Sequence, residues 1–172
     1  MSEPHATRPP FPDLEPYGPQ RSRASEPLRP WAESRERLIA ADLYWMTATR
    51  RDGRPHAVPI GGAWSVDRLW FNSAPSTVLS RILRRNPRAL MHLESGEDVL
   101  IVEGEASLVG GQDVPDVVVT TYRTKYGGDW DPHAPHDPWL WFVLIPRSAM
   151  TWSYEDMRNT AVRYDFEGPR SG

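Results

Sequence analysis

The chain alternates between two hydrophobic rhythms. Residues 44–49 form an apolar, β-prone run that stops at Arg50-Arg51-Asp52-Gly53. An Asp-Gly tip between extended runs predicts a hairpin, because glycine accepts positive φ. The next run, 54–60, carries Pro55 and Pro59, which both forbid helix. Gly61-Gly62 bends the chain into a third run, 64–72, with a second tip at Asp67-Arg68. The rhythm then changes. Ser73-Ala74-Pro75-Ser76 is turn and cap chemistry, and from Thr77 apolar residues recur at Val78, Leu79, Ile82 and Leu83, a helical period. Asn86-Pro87 ends that helix.

The flanking segments follow the same two rhythms. Residues 31–42 predict a helix with Trp31, Leu38 and Ala41 on its apolar face and Glu33, Arg35, Glu36 and Arg37 on its wet face. Glu33 and Arg37 stand four apart and predict an ion pair. Residues 88–94 and 99–109 predict a fourth and a fifth strand, with a bulge or close backbone approach at Gly104. Gly110-Gly111 breaks the chain, and 112–126 predict a helix although Val117-Val118-Val119 favour strand. Pro115 fits the first turn. Residues 127–138 read as a long loop, 139–146 as a strand, 148–154 as its continuation or another strand, and 161–166 as the closing strand. Meandering strands with tight turns predict a mainly β fold, an antiparallel barrel with flanking helices.

These pieces, taken in order, resemble a known superfamily. WMTAT, DGRPHAVPI, LWFNS and S-x-x-x-S-R-x-L-x-x-NP are followed by VEGEASLV, Y-x-x-KY, WFVLIP, TW and RYDF. The set is similar to the split-barrel flavoproteins: the pyridoxamine 5′-phosphate oxidase-like proteins and the actinobacterial deazaflavin (F420)-dependent oxidoreductases. The resemblance spans residues 34–166. It implies a six-stranded antiparallel split β-barrel of the FMN-binding type. It also implies a homodimer with the cofactor in two clefts between subunits.

Composition narrows the class. At 172 residues, one domain with a real core is expected. Residues 1–30 carry eight prolines and few aliphatics, which predicts a disordered extension before a barrel domain at 31–172. The alternative is an arm on a partner subunit, anchored by Phe11, Leu14 and Tyr17. The net charge of −3 gives no general attraction to nucleic acid. Cysteine is absent, which removes disulfides, thiolate metal sites and cysteine nucleophiles. No run is long and apolar enough for a membrane span, and no secretory signal is visible; a cytoplasmic protein is expected. The 8 tryptophans are expected in the core, a ring pocket or a subunit contact.

Candidate chemistry follows. His133 and His136 form an HxxH in a proline-rich loop, not on a helix that would hold both rings on one face, so a solvated loop is expected and no metal site. Tyr122, Lys125 and Tyr126 lie on the 112–126 helix and are read as packing residues, with substrate contact as the alternative. His56 is the one histidine in the core motif, read as a packed histidine or as a weak catalytic candidate donating a proton. Ser76 and Thr77 open the short helix with hydroxyls, and Arg81, four after Thr77, reaches the same end. Arg84, Arg85 and Arg88 form a basic cluster, read as a solvated helix end or a seat for an anionic tail. The resemblance maps ring contacts to Val58, Pro59, Ile60 and Gly61. It maps ring-edge and phosphate contacts to Asn72, Ser73, Ser76 and Thr77, and contacts from the second subunit to Trp152 and Arg163. One departure matters. The related proteins carry a phosphate-binding lysine where this chain has Leu79. The function implied is F420-dependent hydride transfer to a small organic substrate. FMN is the alternative cofactor, and a non-catalytic ligand-binding dimer is the alternative class.

Overall fold

The structure, a computed structural model, describes residues 3–9 and 27–166. Nine strands of the described residues form one antiparallel sheet. In chain order they are β1 (His5–Thr7), β2 (Leu43–Thr49), β3 (Pro55–Gly61), β4 (Ala63–Ser65), β5 (Arg68–Ser73), β6 (Arg88–His92), β7 (Asp98–Val109), β8 (Leu140–Ser153) and β9 (Val162–Asp165). The helices are α1 (Trp31–Ala40), α2 (Val78–Leu83), α3 (Asp116–Tyr126) and α4 (Met157–Thr160). The main path runs β1-β9-β8-β7-β6-β2-β3, with β5 on the other edge of β8 and β4 on β5. No ladder joins β3 to β5 among the described residues, so the barrel stays open there.

The expectation of about six strands is corrected to nine. The six long ones are β2, β3, β5, β6, β7 and β8. The third expected run splits into β4 and β5 at a turn whose central residues, Val66 and Asp67, both have positive φ, 55° and 53°. That turn falls one residue before the expected tip. Strands of three residues, such as β1 and β4, are too short to show a period, and β9 is the expected closing strand. The extension expected to be disordered is in part placed: β1 pairs with β9, Ala6 opposite Tyr164, and Leu28 packs on the core. Residues 10–26, with Phe11, Leu14 and Tyr17, lie outside the described residues.

Of the two alternatives for 148–154, the structure has the continuation: β8 is one strand, Leu140–Ser153. β8 runs through Pro146 because β7 shifts register opposite it, between Glu103 and Gly104. A Cβ on Gly104 would overlap the Ile145 carbonyl oxygen, so the bulge requires glycine. Both halves of the Gly104 expectation, bulge and close approach, hold.

Two apolar layers share the β5–β8 pair. Leu69, Phe71, Phe142 and Leu144 face the main core, where Phe71 and Phe142 stack at 5.4 Å and 15°. Trp70, Trp141 and Val143 face the opposite way, under Val118, Val119 and Tyr122 of α3. Burial on both faces explains why these strands read as continuous apolar runs rather than alternating ones. Val118 and Val119 of α3 are buried with Tyr122 while Val117 is exposed; the packing of that face outweighs the valines' strand preference. Pro115 sits at the N-cap of α3, just before the expected first turn.

α1 covers one end of the barrel. Trp31 is 3% exposed and meets the rings of Trp64, Tyr164 and Phe166 with centroids 4.9–6.1 Å away. Such a side chain contributes about 3 kcal/mol by burial alone. The expected Glu33–Arg37 pair gives way to a local partner for Glu33 and a tertiary one for Arg37. Glu33 lies 3.8 Å from Arg29, and Arg37 lies 3.3 Å from Asp98 of β7.

Candidate functional site

The open edge of β3 is the first element of the site. Its register with β2 puts Pro59 opposite Trp45 and Pro55 opposite Thr49. Proline cannot donate to a ladder, so residues of this parity turn their backbone groups away from β2. The N–H groups of Ala57 and Gly61 and the carbonyls of Ala57 and Pro59 therefore face the gap. The side chains of Val58 and Ile60 point the other way and pack on the core. Of the expected ring contacts Val58, Pro59, Ile60 and Gly61, the free backbone groups belong to Pro59 and Gly61. Ala57 was not among the expected residues. The four-residue spacing of Pro55 and Pro59 is the signal that points to it.

The far side of the gap is the end of β5. A Cβ on Gly62 would come within 2.8 Å of the Leu69 side chain and 3.1 Å of the Trp70 carbonyl. β5 then runs back from this close approach toward Asn72 and Ser73. Asn72 is half-buried, and its side-chain Nδ2 is buried without a partner. An orphan donor of this kind is uncommon in folded proteins.

Past β5, Ser73 and Thr77 bring their hydroxyls to 2.8 Å, and Thr77 Oγ1 accepts from the Ser80 N–H at 3.1 Å as the N-cap of α2. Ser76 and Arg81 are exposed beside them, and Arg84, Arg85 and Arg88 are exposed further on. Leu79 is 2% exposed and sits inside the main core. A lysine there would bury an ammonium without a partner. The departure at Leu79 is therefore built into how α2 packs.

The remaining expected residues are not brought to this gap within one copy of the chain. Trp152 stands opposite Val99 on β8. Leu140, which pairs with Ser73, lies twelve residues away along the same strand, about 40 Å of extended chain. Arg163 on β9 donates to Asp165 at 2.9 Å. His56 lies at the start of β3, with Nδ1 3.3 Å from the Arg50 guanidinium. Desolvation, with Arg50 second, holds its imidazole below the ordinary range, so it is neutral at pH 7.

Sequence reading took Tyr122, Lys125 and Tyr126 as packing residues, and their polar ends do more than fill space. The Tyr122 hydroxyl lies 3.2 Å from the Gly61 carbonyl and 3.4 Å from that of Trp70, so it spans the two sides of the gap. Tyr126 accepts from the Gly62 N–H at 2.7 Å and lies 2.9 Å from the Gly62 carbonyl. Lys125 donates to the Ala41 carbonyl at 2.5 Å. Burial raises both tyrosines above the ordinary range and lowers Lys125. The Y-x-x-K-Y string thus fixes the end of β3 from one face of α3.

His133 of the HxxH donates from Nε2 to the Val114 carbonyl at 2.9 Å. Among the described residues no three His, Asp or Glu side chains gather as metal ligands.

A model of the pyridoxamine 5′-phosphate oxidase family matches residues 31–151. The chain belongs to the pyridoxamine 5′-phosphate oxidase family. The match takes in α1, both sides of the gap and almost all of β8. Several solved structures share the family fold. A conserved hypothetical protein of Mycobacterium tuberculosis, Rv2991, is 20% identical over 75% of this chain and 88% of its own, with a TM-score of 0.60. An F420 reductase is 21% identical over 66% of this chain and 94% of its own, at 0.53. An FMN-binding, pyridoxamine 5′-phosphate oxidase-related protein of Nostoc punctiforme is 13% identical over 79% and 89%, at 0.56. At these identities the likeness is one of fold. A comparison with curated proteins gave no match. The chain is thus a member of a flavin-binding oxidoreductase superfamily, and no helix of the described residues is long and apolar enough to cross a membrane.

Proposed function

We propose that this family member is an F420-dependent oxidoreductase acting on a small organic substrate, as a homodimer. The observation that carries the reading is the gap itself. The N–H groups of Ala57 and Gly61 turn away from β2 on one side of it, and at the end of β5 on the other side the Asn72 Nδ2 is buried without a partner. A flat heterocycle with several carbonyl and ring-nitrogen acceptors would satisfy all three. Pro59 and Gly61 offer little side chain, so a ring could approach the backbone closely. Ser73, Ser76 and Thr77 would meet the ribityl-phosphate end. Arg81, exposed one turn further, would supply the cation that Leu79 does not.

When bound, the cofactor supplies a hydride to the acceptor carbon. This chain's own part is to hold the ring, orient the acceptor and keep water out. Val58 and Ile60 back the strand against the core, and Tyr122 and Tyr126 fix its end. His56, neutral at pH 7, is a candidate to hydrogen-bond the substrate and exchange a proton with it. Trp152 and Arg163 would complete the cleft from a second copy, since twelve residues of β8 separate Trp152 from Leu140 in its own copy.

The lean toward F420 rests on the DGRPHAVP and Y-x-x-KY strings and on the F420 reductase among the similar structures. FMN carries the same kind of tricyclic ring, ribityl chain and phosphate, so it is the competing cofactor. The buried Leu79 favours a second reading, a dimer that binds a ligand without turnover.

The test is a titration of the full chain with F420 and with FMN by fluorescence and calorimetry at matched salt. Tight F420 and weak FMN binding is expected, with Arg81→Ala weakening F420 by about tenfold through loss of a charge-assisted contact. The reverse preference makes FMN the cofactor. Binding of neither overturns the oxidoreductase reading.

A further inference from the structure

The loop of residues 127–138, which the redox reading does not use, is firmly held. Gln112 donates to the His133 carbonyl at 2.8 Å, and Arg123 Nε donates to the Trp130 carbonyl at 3.0 Å. Gly111 passes so near the Pro132 carbonyl that a Cβ would overlap it. Asp137 closes the loop, accepting from the Trp139 backbone N–H at 3.1 Å and from the Trp141 indole at 2.8 Å.

Fixed in this way, the loop bounds a cavity of about 650 Å³. Its aromatic walls are Tyr126, Trp130 and Trp139. The two indoles meet at 52° with centroids 6.0 Å apart, an open corner and not a closed stack. Trp139 is 39% exposed on an otherwise well-tied segment. The charge around this corner has one sign. Residues 127–138 hold Asp129, Asp131 and Asp137 and no Lys or Arg. Asp137 is used by the indole and backbone N–H groups, and Asp131 Oδ1 accepts from the His133 N–H at 3.0 Å. Asp129 makes no hydrogen bond or ion pair among the described residues. Arg123, the nearby cation, is turned onto the Trp130 carbonyl and does not line the cavity.

We infer that this cavity is a binding site for a small organic cation, an alkylated ammonium seated in the Trp130–Trp139 corner and facing Asp129. Indole faces attract cations through the ring quadrupole, and they do so most for a diffuse, weakly hydrated charge. A carboxylate within reach adds Coulomb attraction that a neutral ligand of the same shape does not feel. An anion would meet three aspartates. The inference does not depend on which redox cofactor the chain binds. Tyr126 links the two regions, since its ring walls the cavity and its hydroxyl holds Gly62.

The test uses the full chain and two probes of nearly equal shape, choline and the neutral 3,3-dimethylbutan-1-ol, in calorimetric titrations. Choline is expected to bind saturably and about tenfold more tightly than the alcohol. Trp139→Ala and Asp129→Asn are each expected to weaken choline by about threefold or more, and Asp129→Asn, at an exposed side chain, leaves the melting temperature unchanged. Absence of saturable choline binding, equal binding of the alcohol, or unchanged affinity in both variants would each overturn the inference.

Discussion

Tyr126→Phe removes one oxygen atom and keeps the ring. That oxygen accepts from the Gly62 N–H at 2.7 Å and lies near the carbonyls of Gly62 and Asp42. A hydroxyl has one proton, so the loss is one accepted and one donated bond. Gly62 is buried, and its N–H would be left without a partner. A stranded buried donor costs about 1–3 kcal/mol, more than the net value of an exposed hydrogen bond. The expected destabilisation is about 2 kcal/mol, or about 4–8 °C in melting temperature for a chain of this size. Urea unfolding should show a lower midpoint with an unchanged slope. Tyr122→Phe, which frees the carbonyl of the adjacent Gly61, should couple with it by more than about 0.5 kcal/mol in a double-mutant cycle. The alkaline limb gives an independent readout. Burial holds the Tyr126 hydroxyl above its ordinary value. The unfolded chain ionises first, so it binds fewer protons, and stability falls as pH rises above about 10. Tyr126→Phe should flatten that fall. Lys125, which burial lowers, works in the opposite direction over the same range. A stability change below about 0.5 kcal/mol, with the alkaline slope unaltered, would refute the claim that Tyr126 fixes the end of β3.

Three further outcomes are expected. Gly104→Ala puts a methyl group into the Ile145 carbonyl at the bulge, and should lower stability by about 3 kcal/mol or prevent folding, as read by circular dichroism melts. Val66→Asn relieves a β-branched residue at φ 55° on an exposed turn, and should raise the urea midpoint by the equivalent of about 1 kcal/mol. In Arg50→Ala, the NMR titration of His56 should move upward yet stay below the ordinary value of about 6.5, because desolvation is the larger cause; a titration point that does not move removes Arg50 from the account.

Much of the fold was legible because apolar, β-prone runs are bounded by turn residues. In β2 the burial alternates, with Tyr44, Met46 and Ala48 buried and Leu43, Trp45 and Thr49 exposed, although the sequence there is an apolar run. The Asp-Gly tip, the α2 period and Gly104 announce themselves by local stereochemistry that only certain residues satisfy. What sequence does not show are the three-residue strands β1 and β4, where a period has no room to appear, whereas the four-residue β9 falls within the expected closing strand 161–166. Sequence leaves open whether 148–154 continues the strand before it, because Pro146 looks like a stop; the facing bulge in β7 lets the strand continue.

The candidate site divides along the same line. Sequence by itself determined that 54–60 is extended and not helical, since Pro55 and Pro59 have no N–H to donate, and which hydroxyls would cap α2. It also determined the family, through the order of its short strings. Only the tertiary structure decided the rest. It buried Leu79, left the Asn72 amide unpartnered, turned Tyr122 and Tyr126 from packing into the clasp on Gly61–Gly62, and kept Trp152 and Arg163 away from the gap. Those outcomes depend on contacts between residues scores of positions apart, and a local pattern carries no record of distance in space.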